Sequence, residues 1–181
     1  MLARTLSLLA LVATPAAAQD VLVVGSDGFT PFLSIRDAIQ VASPGSLIIV
    51  RPGVYPEAVR IGSKPLQIVA PVPGSVTVLG DVDVRGLPAD GDVLLHGLRI
   101  EGSYIEFDAA VELRDCEGRV TLQSCHVVGS DAWMAGDPGQ AALGAVRSPY
   151  VTAIRCTLEG GDGVAQTFAS GAGAGGAGVF A

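Results

Sequence analysis

The sequence predicts a parallel β-helix, and two patterns along the chain carry this prediction. The first is a series of triplets in which one polar residue stands between two apolar ones, so the outer side chains share one face of a short strand. The second is the presence of turn-forming residues between the triplets, where Gly, Asp, Ser or Pro stands in almost every gap. Similar triplets with a Gly-bearing turn recur roughly every twenty to thirty residues, which is typical of stacked repeats. The triplets begin at Val59, Val82, Leu98, Ile105, Val111, Val120, Cys125 and Cys156.

The composition agrees with short strands and many turns. Of 181 residues, 49% are hydrophobic and only 5% aromatic, while 24 are glycine. This favours Val, Leu and Ile strands joined by glycine turns over a helical bundle. The formal charge of −7 repels phosphate backbones and argues against a nucleic-acid partner.

Residues 1–18 read as a secretory signal peptide. Arg4 supplies the positive region, Leu6 to Val12 the apolar region, and Ala16 to Ala18 the small residues before a cleavage site at Gln19. The apolar run is well short of the ~20 residues that span a bilayer. We therefore expect a secreted or periplasmic protein that has no membrane segment after cleavage.

Residues 19–168 form the predicted β-helix domain, and a helix over 31–42 opens it. Its apolar residues lie at helical spacing, and its cap is either Thr30 with Pro31 or Ser34 with Asp37. We expect this amphipathic helix to cover the open end of the first coil. Leu47 to Val50 follows as a strand predicted to be buried on both sides. Residues 169–181 are a Gly/Ala-rich tail or a truncated last coil.

Phe32 to Ala70 carries a family resemblance in the pieces SIRDAIQVA, PGSLIIVRPGVYPE and KPLQIV. It resembles the N-terminal part of right-handed parallel β-helix proteins, the pectin-lyase-like superfamily that includes pectin methylesterases and periplasmic copper-processing proteins. The resemblance implies a right-handed coil. Gly53 to Glu57 is similar to the G-x-Y-x-E stretch of pectin methylesterases, but that family's Asp-bearing and Arg-bearing catalytic motifs are absent. We expect Tyr55 to be packed and Glu57 to be exposed.

Neither the titratable residues nor the Gly-rich tail has a pattern that predicts a metal or cofactor site. Four carboxylates are clustered, but strand alternation and turn chemistry predict that they are solvated rather than bound to Ca²⁺. The two histidines lack the spacing of metal ligands and are expected at the surface. The Gly-rich tail formally matches a dinucleotide motif, yet no strand precedes it. The carboxylates are Asp81, Asp83, Asp90 and Asp92, and the histidines are His96 and His126.

The three cysteines leave two readings open. Cys125 and Cys156 occupy the same triplet position, so they are expected to stack one coil apart, within disulfide reach or as free interior thiols. Cys116 is expected to belong to a different ladder.

Three aromatic residues are the candidates for carbohydrate binding: Trp133, Tyr104 and Tyr150. Trp133 lies in an insertion over Asp131 to Ala145, where it either stacks on a sugar ring or folds back on the coil. The sequence therefore favours a non-catalytic scaffold or carbohydrate-binding surface with a polysaccharide as its partner. The alternative is a pectin-lyase-like enzyme acting on an acidic polysaccharide. An enzyme would bring together several of the outward charged residues, namely Arg60, Asp83, Arg99, Glu106, Glu112 and His126.

Overall fold

The computed structural model describes residues 19–103, 108–133 and 138–163, together with the backbone of 179–180. In these residues the chain forms a parallel β-solenoid of five coils with three short strands each, which confirms the predicted β-helix class. The predicted signal peptide over 1–18, most of the Gly/Ala-rich segment and the triplet beginning at residue 105 lie outside the described residues.

Successive coils stack their strands into three parallel sheets, which we call A, B and C. Before the first coil come β1 (Val21–Val24) and α1 (Ile35–Val41). Sheet A continues from β1 with β2 (Ser46–Val50), β5 (Leu66–Val69), β8 (Asp92–His96), β11 (Arg119–Gln123) and β14 (Val151–Ile154). Sheet B contains β3 (Gly53–Tyr55), β6 (Val76–Leu79), β9 (Leu98–Glu101), β12 (His126–Val128) and β15 (Thr157–Glu159). Sheet C contains β4 (Val59–Ile61), β7 (Val82–Arg85), β10 (Ala109–Arg114), β13 (Ala141–Val146) and β16 (Val179–Phe180).

The core is a set of ladders that run along the stack. In sheet A, Ile48 pairs with Ile68, Ile68 with Leu95, and Leu95 with Leu122, and all four are fully buried. Burying one such side chain contributes about 1.5–3 kcal/mol. Leu47 and Ile49 alternate with the buried residues and stay half-exposed. The prediction that this strand is buried on both sides is therefore wrong.

The helix α1 is shorter than the predicted 31–42. Ser34 is its N-cap, and its side chain accepts a hydrogen bond from the Asp37 amide. Upstream, Phe32 forms a parallel bridge with Val24, and the Thr30 hydroxyl donates to the Phe32 carbonyl. These contacts hold the chain extended before Ser34, which explains why the helix begins at Ile35.

The buried face of α1 packs on β1, β2 and β4 at the N-terminal end of the stack. Glu57 was expected to be exposed, but it is half-buried because its carboxylate accepts hydrogen bonds from the Ile35 and Arg36 amides at 2.8 and 3.0 Å. Tyr55 is buried as predicted. The handedness of the coil and the role of α1 as a cap stay predictions.

The corner between sheets A and B has one or two residues in four of the five coils, and six residues, 70–75, in the second coil. In the last three coils it contains one residue with a left-handed backbone, Gly97, Ser124 or Arg155, at φ of 73°, 54° and 54°. The corner between sheets B and C is longer in the later coils, since β9 ends at Glu101 and β10 begins at Ala109, and β12 ends at Val128 and β13 begins at Ala141. Variation in length is therefore largest at the edge between sheets B and C.

A buried polar network ties this longer corner together. The Asp81 carboxylate accepts hydrogen bonds from the Ser103 amide and hydroxyl, each at 2.9 Å, and from Gln140 Nε2 at 3.0 Å. Gln140 Oε1 in turn accepts from the Ser130 amide at 3.1 Å. Both Asp81 and Gln140 are 1% exposed. Three coils are thereby joined through one carboxylate.

All three cysteines are free thiols. Cys125 and Cys156 do stack on adjacent coils, as the sequence predicts, since the Thr157 amide donates to the Cys125 carbonyl. Each Sγ donates to a carbonyl of the preceding coil, Leu95 for Cys125 and Leu122 for Cys156. Burial raises the pKa of the Cys125 thiol to about 11. Among the described residues, no helix is long and apolar enough to cross a membrane.

Candidate functional site

The outer face of sheet C carries two carboxylates on neighbouring coils. Asp83 of β7 and Glu112 of β10 are register partners, and Arg60 of β4 pairs with Asp83 from the coil below. Asp83 is 3% and Glu112 1% exposed. The prediction that Asp83 is solvated is therefore wrong, as it is for Asp81.

Arginines two residues along the same strands explain this burial. Arg85 Nε lies 2.7 Å from the Asp83 carboxylate, and Arg114 Nε lies 2.5 Å from Glu112 Oε1. Alternation places residues i and i+2 on one face, so each guanidinium folds over the acid beside it. The hydrogen bond from Arg85 to Asp83 raises the pKa of Arg85, and the nearby Glu112 charge adds to the effect.

Glu112 Oε2 is the exception in this cluster. It is buried and has no hydrogen-bond partner, which costs about 1–3 kcal/mol or more for a charged group. Parallel strands lie ~4.8 Å apart, so Asp83 and Glu112 stand on adjacent strands of the same face. Their arginines and their burial set them apart from an open active site.

The outer face of sheet B carries a half-exposed charged network. Arg99 Nε donates to Glu101 Oε1 at 2.6 Å, and Arg99 Nη1 lies 2.9 Å from His126 Nδ1. A guanidinium only donates, so Nδ1 must accept and the proton is on Nε2. Nε2 then donates to Glu159 Oε1 at 3.2 Å. His126 is thus near the surface as expected, but both ring nitrogens are engaged.

A shallow groove of about 320 Å³ lies beside this network, with Arg99, Glu101, Ser130 and Asp131 among its lining residues. Trp133 follows Asp131 by two positions and is 76% exposed, so it does not fold back on the coil. The Asp162 amide donates to the Asp131 carboxylate at 2.7 Å, and the Ala132 amide donates to the Asp162 carbonyl. The backbone that precedes Trp133 is thereby fixed to the next coil.

A second groove, of about 430 Å³, is formed by three successive turns between sheets C and A. Tyr150 lines it directly and is 63% exposed. Besides Ala89, the wall contains three carboxylates and one guanidinium, so the groove has an excess of negative charge. The charged residues are Asp90, Asp92, Glu117 and Arg119.

The predicted carbohydrate-binding residues are not brought together. Trp133 precedes β13 and Tyr150 follows it, so they lie at opposite ends of the sheet C strands. Tyr104 lies outside the described residues. Asp90 and Asp92 are exposed as predicted. In the part of the chain that the structure describes, no three His, Cys, Asp or Glu side chains are grouped to hold a metal ion.

The outward charged residues separate into two groups instead of one site. Arg60, Asp83 and Glu112 lie on sheet C, whereas Arg99 and His126 lie on sheet B. Glu106 is outside the described residues. Neither the family models nor the curated proteins searched contain a match to this chain.

Sequence reasoning missed the Tyr150 groove because its walls come from three turns that are far apart in the chain. It also missed the ion pairs, although their signal was present. In VDVR, LRIE and VELR, an acid and an arginine stand two positions apart, which places them on one face of a strand.

Proposed function

We propose that this chain is an exported, right-handed β-solenoid of the pectin-lyase-like kind that binds a polysaccharide without cleaving it. The observation that carries the proposal is Tyr150, an exposed aromatic ring set in the wall of a groove beside carboxylates and a guanidinium. Binding sites commonly combine an apolar or aromatic surface with a few convergent polar groups. A sugar ring offers both the apolar face and the hydroxyls that such a site takes.

The net negative charge of the groove indicates which class of polysaccharide it binds. Asp90, Asp92 and Glu117 outnumber Arg119 in the groove, and the whole chain carries −7. A uronate would meet like charges there, whereas neutral sugar hydroxyls can donate to the carboxylates. The ligand we propose for this groove is therefore a neutral polysaccharide. Trp133 offers a second stacking surface at the other end of the sheet C strands.

Further support for export and for the helical cap comes from separate features. The pattern of residues 1–18 is that of a cleaved signal peptide. The cap is supported by the packing of α1 on β1, β2 and β4, with Ile35, Ala38 and Ile39 buried.

The test is a binding titration with a soluble neutral β-glucan and with polygalacturonate. We expect the neutral polymer to bind more tightly, and Tyr150→Ala to weaken binding about tenfold or more, as for an aromatic anchor. Phe29→Ala is the matched control, since Phe29 is 87% exposed near β1 and lines neither groove. Tighter binding of polygalacturonate, or equal effects of the two substitutions, would contradict the proposal.

A second candidate is an enzyme acting on an acidic polysaccharide, and the Asp83–Glu112 pair with its unpartnered oxygen favours it. Incubation with polygalacturonate, with and without Ca²⁺, tests it through new reducing ends and unsaturated products. Under the binding proposal no cleavage is expected. Cleavage that Glu112→Gln abolishes while the melting temperature is retained would replace binding with catalysis.

A further inference from the structure

Two thiols lie one above the other at the corner between sheets A and B. His126 and Thr157 are register partners, and the Thr157 amide donates to the Cys125 carbonyl at 3.0 Å. The residues just before this pair, Cys125 and Cys156, therefore occupy the same position in the fourth and fifth coils. Parallel strands lie ~4.8 Å apart, and a disulfide joins Cα atoms that are about 4.4–6.8 Å apart. The backbone spacing meets that requirement.

The directions of the two side chains also suit a bond between the coils. Both cysteines follow a residue with φ of 54°, so their backbones match. Cys156 Sγ donates to the Leu122 carbonyl at 3.4 Å, and Leu122 belongs to the coil that contains Cys125. Cys125 Sγ donates in the same sense to the Leu95 carbonyl of the third coil. A change of rotamer at Cys125 therefore turns its sulfur toward the sulfur of Cys156.

The two thiols differ in their access to solvent. Cys125 is 3% exposed, whereas Cys156 is only partly buried against the core. Among the described strands, β14 and β15 have a neighbouring strand on one side only, which leaves Cys156 in the less covered coil. Desolvation raises the pKa of Cys125 to about 11, and the nearby Cys156 adds to the effect. Cys156 is therefore the thiol that an external reagent reaches first.

We propose that Cys125 and Cys156 form a disulfide when the folded chain meets a disulfide oxidant such as oxidised glutathione, and that this bond staples the fifth coil to the fourth. The Cys156 thiolate attacks the oxidant, so a mixed disulfide forms on Cys156 and one glutathione leaves. Cys125 then loses its proton to solvent and attacks the Cys156 sulfur, which releases the second glutathione. Two protein thiols and one oxidant disulfide thus become one protein disulfide and two glutathione thiols.

The staple acts on a coil that is loosely held. The strands β14 and β15 pair with β11 and β12, and their side chains are half-exposed or exposed. Local opening needs little free energy where few buried contacts are lost. A cross-link across β12, β13 and β14 restricts the unfolded chain and so stabilises the folded one. The bond involves neither aromatic groove, so it stands independently of the proposed polysaccharide binding.

The experiment oxidises the full chain in its folded state. The reductant is removed, oxidised glutathione is added, and the product is followed by intact mass, peptide mapping and thermal unfolding. We expect a peptide that links Cys125 to Cys156 and a melting temperature higher by about 5 °C or more than that of the reduced chain. Cys116→Ala is the matched control and should cross-link as the parent does, because Cys116 lies at another corner, between β10 and β11.

Two further arms test the order of the steps. Cys156→Ser should abolish both the linked peptide and the rise in melting temperature, while its reduced form melts close to the reduced parent. In the parent, conversion of the mixed disulfide should accelerate as the pH rises to about 11, because Cys125 must lose its proton first. A stable mixed disulfide on Cys156, a disulfide-linked dimer, pairing with Cys116, or a cross-link that forms only in urea would overturn the proposal.

Discussion

The buried network at Asp81 predicts different losses of stability for two substitutions, Asp81→Ala and Asp81→Asn. Asp81→Ala removes the acceptor of the Gln140 amide and of the Ser103 amide and hydroxyl. The hydroxyl can rotate to another partner, but the two N–H donors lose theirs. Leaving a buried N–H donor without an acceptor lowers stability by about 1–3 kcal/mol. The loss at the Ser103 amide should be at the low end, because Ser103 is only half-buried. We expect about 3–4 kcal/mol of lost stability.

Asp81→Asn should cost only about 1 kcal/mol or less. The remaining side-chain oxygen of the asparagine, in the position of Oδ1, still accepts from both N–H donors. The new amide can donate to the Ser103 hydroxyl, which then accepts a hydrogen bond instead of donating one. The contrast therefore isolates hydrogen bonding from charge.

Urea denaturation followed by circular dichroism measures both variants, and a change in midpoint at constant slope reports stability. The loss for Asp81→Ala corresponds to a fall of roughly 10 °C in melting temperature for a chain of this size. Asp90→Ala is the control, since Asp90 is exposed and should shift stability by less than about 0.5 kcal/mol. If the two Asp81 variants lie within error of each other, the hydrogen-bond reasoning is wrong.

Three other predictions follow from burial. Ile35→Asp should destabilise the chain by about 3 kcal/mol or more and cause aggregation in light scattering, whereas Gln40→Asp on the exposed face of α1 should not; equal behaviour would exclude α1 as a cover. Leu95→Ala should cost about 2–5 kcal/mol in urea denaturation, because its ladder neighbours cannot close the cavity; a cost under about 1 kcal/mol would contradict the packed core. Iodoacetamide at pH 8 should alkylate Cys156 faster than Cys125, and the rate at Cys125 should rise up to about pH 11 because its raised pKa keeps it protonated; a plateau near pH 9 would refute this.

The repeat was visible in the sequence because strand geometry has a period of two. Triplets such as Val120–Thr121–Leu122 predict a buried, half-exposed, buried pattern, and the structure shows it. The prediction that the helix begins at residue 31 was wrong, because the bridge between Phe32 and Val24 holds the backbone extended there against its local preference for helix.

The burial of Asp83 and Glu112 was harder to predict. Alternation correctly places both on the outer face of sheet C, but it does not say which side chains lie beside them. Reading Arg85 and Arg114 as same-face neighbours would have indicated ion pairs. The grooves could not be predicted at all, because residues such as Tyr150 and Asp90 meet only once the register between coils is known.

The tight corner between sheets A and B has a consequence for engineering. Inserting one residue beside Ser124 or Arg155 would shift the following strand by half a pleat and turn its interior side chains toward solvent. The corner between sheets B and C differs most in length from coil to coil, although Ser130, Asp131 and Gln140 are hydrogen-bonded to neighbouring coils or to each other. Foreign peptides should therefore be grafted in this corner between Asp131 and Gln140, so that the residues hydrogen-bonded to neighbouring coils keep their places and the coils keep their alignment.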